Sequence, residues 1–74
     1  MAFVRVNPEA LRELRLRSGF TGTDLAEAAG INRAYLSHIE AGRKEPSPEV
    51  TRRLAAALKV RLVAILADPL EVAQ

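Results

Sequence analysis

The sequence predicts an all-α fold, a compact bundle of five short helices behind a short extended N-terminal arm. Three observations carry that expectation. Turn and cap residues recur at helix-sized intervals, apolar residues between them follow helical spacing, and the alternating "FVRV" near the start is the one strand-like run. A chain of 74 residues has room for one modest core and no more.

In chain order, Pro8 ends the arm and opens a first helix that carries Leu11, Leu14 and Ser18 on one face and stops near Gly19. Thr21 then offers a capping oxygen with Asp24 three positions on, a variant of the capping box, for a short second helix running through Leu25 and Ala29 to Gly30. Asn32 caps a third helix that ends at Gly42. In the loop "EPSPEV", Ser47 caps a fourth with Pro48 at its first position, and Val50, Leu54, Ala57 and Leu58 form its buried stripe. A fifth segment, "LVAILA", is apolar nearly all round and is closed by Pro69. The expected organisation is an arm over 1–8, a domain over 9–67 and a tail over 68–74.

Composition excludes several function classes. There is no cysteine, hence no disulfide framework and no thiolate metal site. The start is too short and too charged for a signal peptide, and no apolar run approaches the ~20 residues that span a bilayer, so a cytoplasmic protein without a membrane partner is expected. A net charge of +2 is weak evidence for nucleic acid, but it is unevenly placed: residues 1–20 and 31–44 are net basic, 21–30 net acidic and the remainder neutral.

Within "INRAYLSHIE" the polar residues divide by direction. At about 100° per residue, Leu36 and Ile39 define the buried side, with Tyr35 at its edge, while Ala34, Ser37, His38 and Ala41 lie opposite. Arg33, in the first turn, can reach outward. Glu40 falls on the inner side, where a carboxylate needs a cation, and the same arithmetic turns Arg15 inward on the first helix. An Arg15–Glu40 salt bridge joining the two helices is expected, structural rather than catalytic. No nucleophile–base pair or convergent carboxylates can be assembled, and His38 has no second histidine to share a metal with. The chain is expected to be no enzyme, with no cofactor and no metal.

Leu25-Ala26, then Gly30-Ile31, then Leu36 and Ile39 spell a short helix, a tight turn and a second helix packed across the first, a helix-turn-helix at 22–41. The stretches "LRELRLRSGFT", "DLAEAAGINRAYLSHIEAGR", "PSPEVTRRLAAAL" and, more loosely, "VRLVAIL" resemble, in that order, the lambda-repressor-like (Cro-type, XRE-type) helix-turn-helix DNA-binding domains over residues 9 to 66. The resemblance implies a five-helix domain that sets its third helix in the major groove of double-stranded operator DNA, as a homodimeric transcriptional regulator of the repressor type. It puts the base-reading positions on Arg33, Ala34 and His38. Their chemistry fits: Arg33 can give paired donors to guanine, Ala34 can touch a thymine methyl, and His38 can donate to a purine N7 or accept. Tyr35 and Ser37 flank that face as phosphate contacts. The amides of Gly22 and Thr23, the Thr23 hydroxyl, Arg43 and Lys44 are expected on phosphates as well.

Three departures from the family pattern stand out. Gly22 replaces the glutamine common at the start of the second helix, Lys59 stands where a terminating glycine is usual, and Val63-Ala64 replace an acidic pair. Because Leu62, Val63, Ile65 and Leu66 cannot all face inward on a helix, they are expected to form the dimer contact. Phe3, Val4 and Val6 on the arm are expected to cover Leu16 or to pair with a second chain. The alternative reading is an antitoxin-like module whose apolar terminal helix binds a partner protein.

Overall fold

Residues 5–67 are described by the computed structural model. Four α-helices, α1 (Pro8–Arg17), α2 (Gly22–Ala29), α3 (Arg33–Glu40) and α4 (Pro48–Leu58), are followed by a single 3-10 turn at Leu62–Ile65. Each α-helix opens on a side-chain cap. Asn7 accepts from the Glu9 and Ala10 N–H groups, Thr21 from Asp24, Asn32 from Ala34 and Ser47 from Val50, with Pro8 and Pro48 at first positions where no N–H is needed. The Thr21–Asp24 box closes reciprocally, the Thr21 N–H donating to Asp24 Oδ2 at 3.0 Å and the Asp24 N–H to Thr21 Oγ1 at 3.0 Å.

The helix ends share one device. Beyond α1, α2 and α3 the chain turns through Gly19, Gly30 and Gly42 at φ 78, 71 and 78°. At Gly42 the amide donates to Ile39 O at 3.0 Å and the next one, Arg43, to His38 O at 2.9 Å, a Schellman closure that satisfies two end carbonyls. After α4 the same turn falls on Lys59, φ 58° and ψ 40°, a conformation that strains any residue with a Cβ.

Leu11, Leu25, Leu36, Ile39, Leu54 and Ile65 are fully buried, one or more from each helix and one from the 3-10 turn. Burial of side chains this size contributes roughly 1.5–3 kcal/mol each. Ala26 and Ala29 are also buried, which lets α2 lie close against α3 and α4. On α4 the core stripe includes Thr51 and Ala55 besides Leu54 and Leu58. Thr51 settles its hydroxyl on Ser47 O at 2.8 Å.

Two expectations fail at the ends of the domain. The fifth helix is absent, reduced to one 3-10 turn with no side-chain cap. The last carbonyls of any helix lack intrahelical donors, and here the Ile65 carbonyl is claimed from outside the turn. That carbonyl accepts from the Asn7 N–H at 2.8 Å, while the Ala67 N–H donates to Arg5 O at 2.7 Å. The arm therefore has a partner within its own chain: Val6 and Leu66 form an isolated antiparallel bridge, and Val6 is buried in the core. Leu16 is 56% exposed, and Phe3 and Val4, which were expected against it or a second chain, lie outside the described residues. The proposed dimer set changes accordingly. Ile65 is fully buried and Leu66 packs on the core beside Val6, leaving Leu62 and Val63 at the surface.

Candidate nucleic-acid interface

The site starts from how α3 is held. Arg15 Nε meets Glu40 Oε2 at 2.8 Å and its terminal nitrogen meets Oε1 at 3.1 Å, a two-point pair whose side chains are 12% and 11% exposed. The third guanidinium arm donates to the Phe20 carbonyl at 3.0 Å. The hydrogen bond to Glu40 raises the Arg15 pKa above its ordinary value, against the lowering effect of burial. One arginine thus ties the end of α1 and the chain leading to α2 to the last turn of α3. Leu36 and Ile39 bury one side of α3 in the core, and the ion pair joins its last turn to α1.

With α3 so oriented, Arg33, Ala34 and Ser37 are exposed along one side of it, and together with Gly22 they line an open groove of about 400 Å³ walled further by Leu36 and floored by Arg15 and Glu40. Gly22 and Thr23 are the first two residues of α2. Their N–H groups have no intrahelical acceptor, because the cap oxygen of Thr21 is committed to Asp24. They stand at the positive end of the helix dipole, where an anion is favoured. A Cβ built at position 22 would meet nothing within 4 Å, so the glycine leaves open space around those amides.

The other expected residues are distributed around this groove. Arg43 and Lys44 are exposed in the loop after α3, their amides gathered on the His38 carbonyl at 2.9 and 3.3 Å. Thr23 is exposed at the start of α2. His38 is half-buried and does not line the groove that Arg33 and Ala34 share, while Tyr35 is half-buried against the core. Ser37, assigned from sequence to the flank, stands in the groove with Arg33 and Ala34; its spacing of three from Ala34 was the available signal. Glu45 was missed altogether. Its carboxylate accepts from the Val6 N–H at 2.7 Å, and only an acidic residue placed directly after two cations hinted at it.

Arg17, Arg52 and Arg53 pair with Glu13 and Glu49 on their own helices, so their charge is partly offset locally. Arg33, Arg43 and Lys44 are the cations carried on and immediately after α3. Among the described residues no cluster of His, Cys, Asp or Glu is arranged to hold a metal, and no helix is long and apolar enough to cross a membrane.

Comparison with known proteins gives the family and the fold. A family model described as a helix-turn-helix domain matches residues 9–70. The transcriptional regulator ClgR of Mycobacterium tuberculosis is 38% identical over 60 residues, 81% of this chain and 54% of the relative, so the chain spans about half the length of that protein. The restriction-modification controller protein C.AhdI from Aeromonas hydrophila superposes with a TM-score of 0.76 at 32% identity, covering 77% of this chain and 86% of that one. SinR, the master regulator for biofilm formation, solved in complex with DNA, superposes with a TM-score of 0.74 at 29% identity over 78% of this chain and 97% of that one. The chain belongs to the helix-turn-helix DNA-binding domains of the lambda-repressor-like, XRE type.

Proposed function

We propose that the chain binds double-stranded DNA in a sequence-specific manner and regulates transcription, acting as a homodimeric repressor. The observation that carries this reading is the shared groove: Arg33, Ala34 and Ser37 stand exposed beside the open amino end of α2, on a helix joined to α1 by a buried ion pair. In this reading α3 enters the major groove. Arg33 donates to a guanine edge, Ala34 packs on a thymine methyl, and His38 contacts the next step along the helix. Gly22, Thr23, Tyr35, Ser37, Arg43 and Lys44 contact the backbone, with Ser37 also within the base-reading row. A symmetric dimer through Leu62 and Val63 would read half-sites one helical turn, about 34–36 Å, apart.

Selection of binding sites from random duplexes, followed by titration of two variants, tests the reading. Arg33→Ala is expected to cost about 1–3 kcal/mol on the selected site and little on random DNA, whereas Lys44→Ala weakens both alike and lowers the salt slope by about 1. Wild-type behaviour of both variants would sink the docking arrangement. A second reading is favoured by the exposed Leu62 and Val63: these residues receive a partner protein instead of a second copy. Sedimentation of the pure protein with and without selected DNA separates the two, since a monomer in both conditions removes the homodimer.

A further inference from the structure

The loop after α3 is anchored on both sides of its two cations. On one side the amides of Arg43 and Lys44 converge on the His38 carbonyl at 2.9 and 3.3 Å. On the other, Glu45 leaves the loop altogether: its Oε2 takes the Val6 N–H at 2.7 Å, a part-buried bond across 39 positions, while Oε1 stands 3.9 Å from Arg5 Nε. The Glu45 side chain is 32% exposed and that of Arg5 69%, so the bond to the backbone amide is the closer and better shielded contact and the arginine a loose companion. Val6 is itself fixed, buried in the core and flanked by the backbone bonds of Asn7 to Ile65 and of Ala67 to Arg5.

A carboxylate next to two phosphate-binding cations ought to oppose DNA binding, because it adds a negative charge where phosphates come close. Here it is turned toward the arm and committed to an N–H. We infer that Glu45 is a positioning residue for the DNA backbone contact: by clamping the loop to the backbone of the buried Val6 it holds Arg43 and Lys44 in register beside α3. This rests on the DNA-binding reading above, and extends it to a residue that touches no DNA. The same bonds make the loop, the arm and residues 65–67 one connected unit, so disturbance of the arm is felt at the cations.

The test compares Glu45→Gln with Glu45→Ala. Glutamine keeps an oxygen that accepts from Val6 and removes the charge; alanine removes both. If Glu45 acted only through its charge, both variants would bind DNA more tightly. The clamp instead demands opposite signs: Glu45→Gln binds random duplex as tightly as wild type or more so, and Glu45→Ala binds more weakly with a salt slope shallower by about 1–2. Amide exchange in the free protein gives a readout that needs no DNA. In Glu45→Ala the Arg43 and Lys44 amides exchange faster, whereas the Leu36 amide, bonded to Asn32 O, stays at its wild-type rate and certifies that α3 is folded. Arg5→Ala, which leaves the Val6 bond in place, is expected to match wild type in exchange. Unchanged exchange at Arg43 and Lys44 in Glu45→Ala, or tighter DNA binding by it, overturns the clamp. A wild-type protein that binds no duplex at all overturns the DNA reading instead.

Discussion

The helix-turn-helix unit, residues 21–42, and the pairing of residues 5–7 with 65–67 are held together by opposite means. In the first, bonds run between neighbours: Thr21 with Asp24, Asn32 with Ala34, Gly42 with Ile39. In the second, the backbone bonds of Asn7 to Ile65 and of Ala67 to Arg5 join the two ends of the described chain. Local caps mark the ends of α2 and α3 through residues only two or three apart, whereas the terminal pairing must be closed at the entropic cost of a loop containing the whole domain. The face proposed to read DNA is thus built on the region with the most local order. It depends on distant residues chiefly through Arg15 and Glu45.

Breaking Arg15–Glu40 strikes the ion pair that joins the first region to α1 and should give the largest effect. Glu40→Ala leaves the guanidinium with the Phe20 carbonyl alone in a largely buried position, at a cost of about 3–5 kcal/mol. Glu40→Gln, which keeps an acceptor, should lose less. Urea denaturation of both variants checks this, and a loss under about 0.5 kcal/mol in Glu40→Ala would show that the pair does not hold α3. In the second region the comparable cut is Ile65→Ala. It removes a fully buried side chain from the turn that receives the arm, at about 2–5 kcal/mol. The comparison predicts different patterns of exposure: Ile65→Ala should raise amide exchange first at Asn7 and Ala67, and Glu40→Ala first in α3. Identical patterns would mean that the two regions open together.

The same division explains what could be read in the sequence. Thr21, Asn32, Ser47, Pro8 and Pro48 announce helix starts because a capping bond needs only residues two or three apart. Arg15 and Glu40 were legible despite their separation, since each is a charge on an inward face and an unpaired buried charge is too costly to stand alone. Nothing in the local pattern of "LVAIL" says that the Ile65 carbonyl will accept from Asn7 or that Leu66 will lie against Val6. Apolar periodicity therefore predicted a fifth helix and put Ile65 on a dimer surface when it belongs to the core. Asn7 as a cap was visible in the Asn-Pro step and went unused. Within the site, helical spacing put Ala34 on the outer side and the first-turn position let Arg33 reach outward, and both are exposed, but spacing could not say that Ser37 shares their groove more closely than His38 does.

A smaller pair of substitutions tests how much of the local order lies in the turns. Gly30, φ 71°, has only Arg53 Nη1 near its missing Cβ, at 3.8 Å, so Gly30→Ala would meet no clash beyond its backbone and should cost about 1–2 kcal/mol. Lys59 holds the same conformation with an exposed side chain, and Lys59→Gly should stabilise by about 0.5–1 kcal/mol, the relief of strain exceeding the added freedom of the unfolded chain. Thermal melts of the two variants should shift in opposite directions. A shift in the same direction would place the strain somewhere other than the left-handed turn.

The smallest effect belongs to the capping box, and it depends on pH. The Thr21 backbone N–H, and after it the Thr21 hydroxyl, hold the Asp24 carboxyl below its usual value. A carboxyl whose pKa is lower in the folded state favours folding above its unfolded pKa, about 3.9, and that contribution fades as the pH falls through the lowered value. Asp24→Asn can still accept from Thr21 but carries no charge at any pH, so it lacks both the titration and the favourable meeting of a carboxylate with the positive end of α2. The wild type should therefore melt above Asp24→Asn at pH 6, and the gap should close in acid as the pH falls through the lowered pKa of Asp24. Because the group is exposed, added salt should narrow the gap at pH 6 as well. A gap that is the same at pH 6 and in acid would mean that the box acts through hydrogen bonding alone, without its charge.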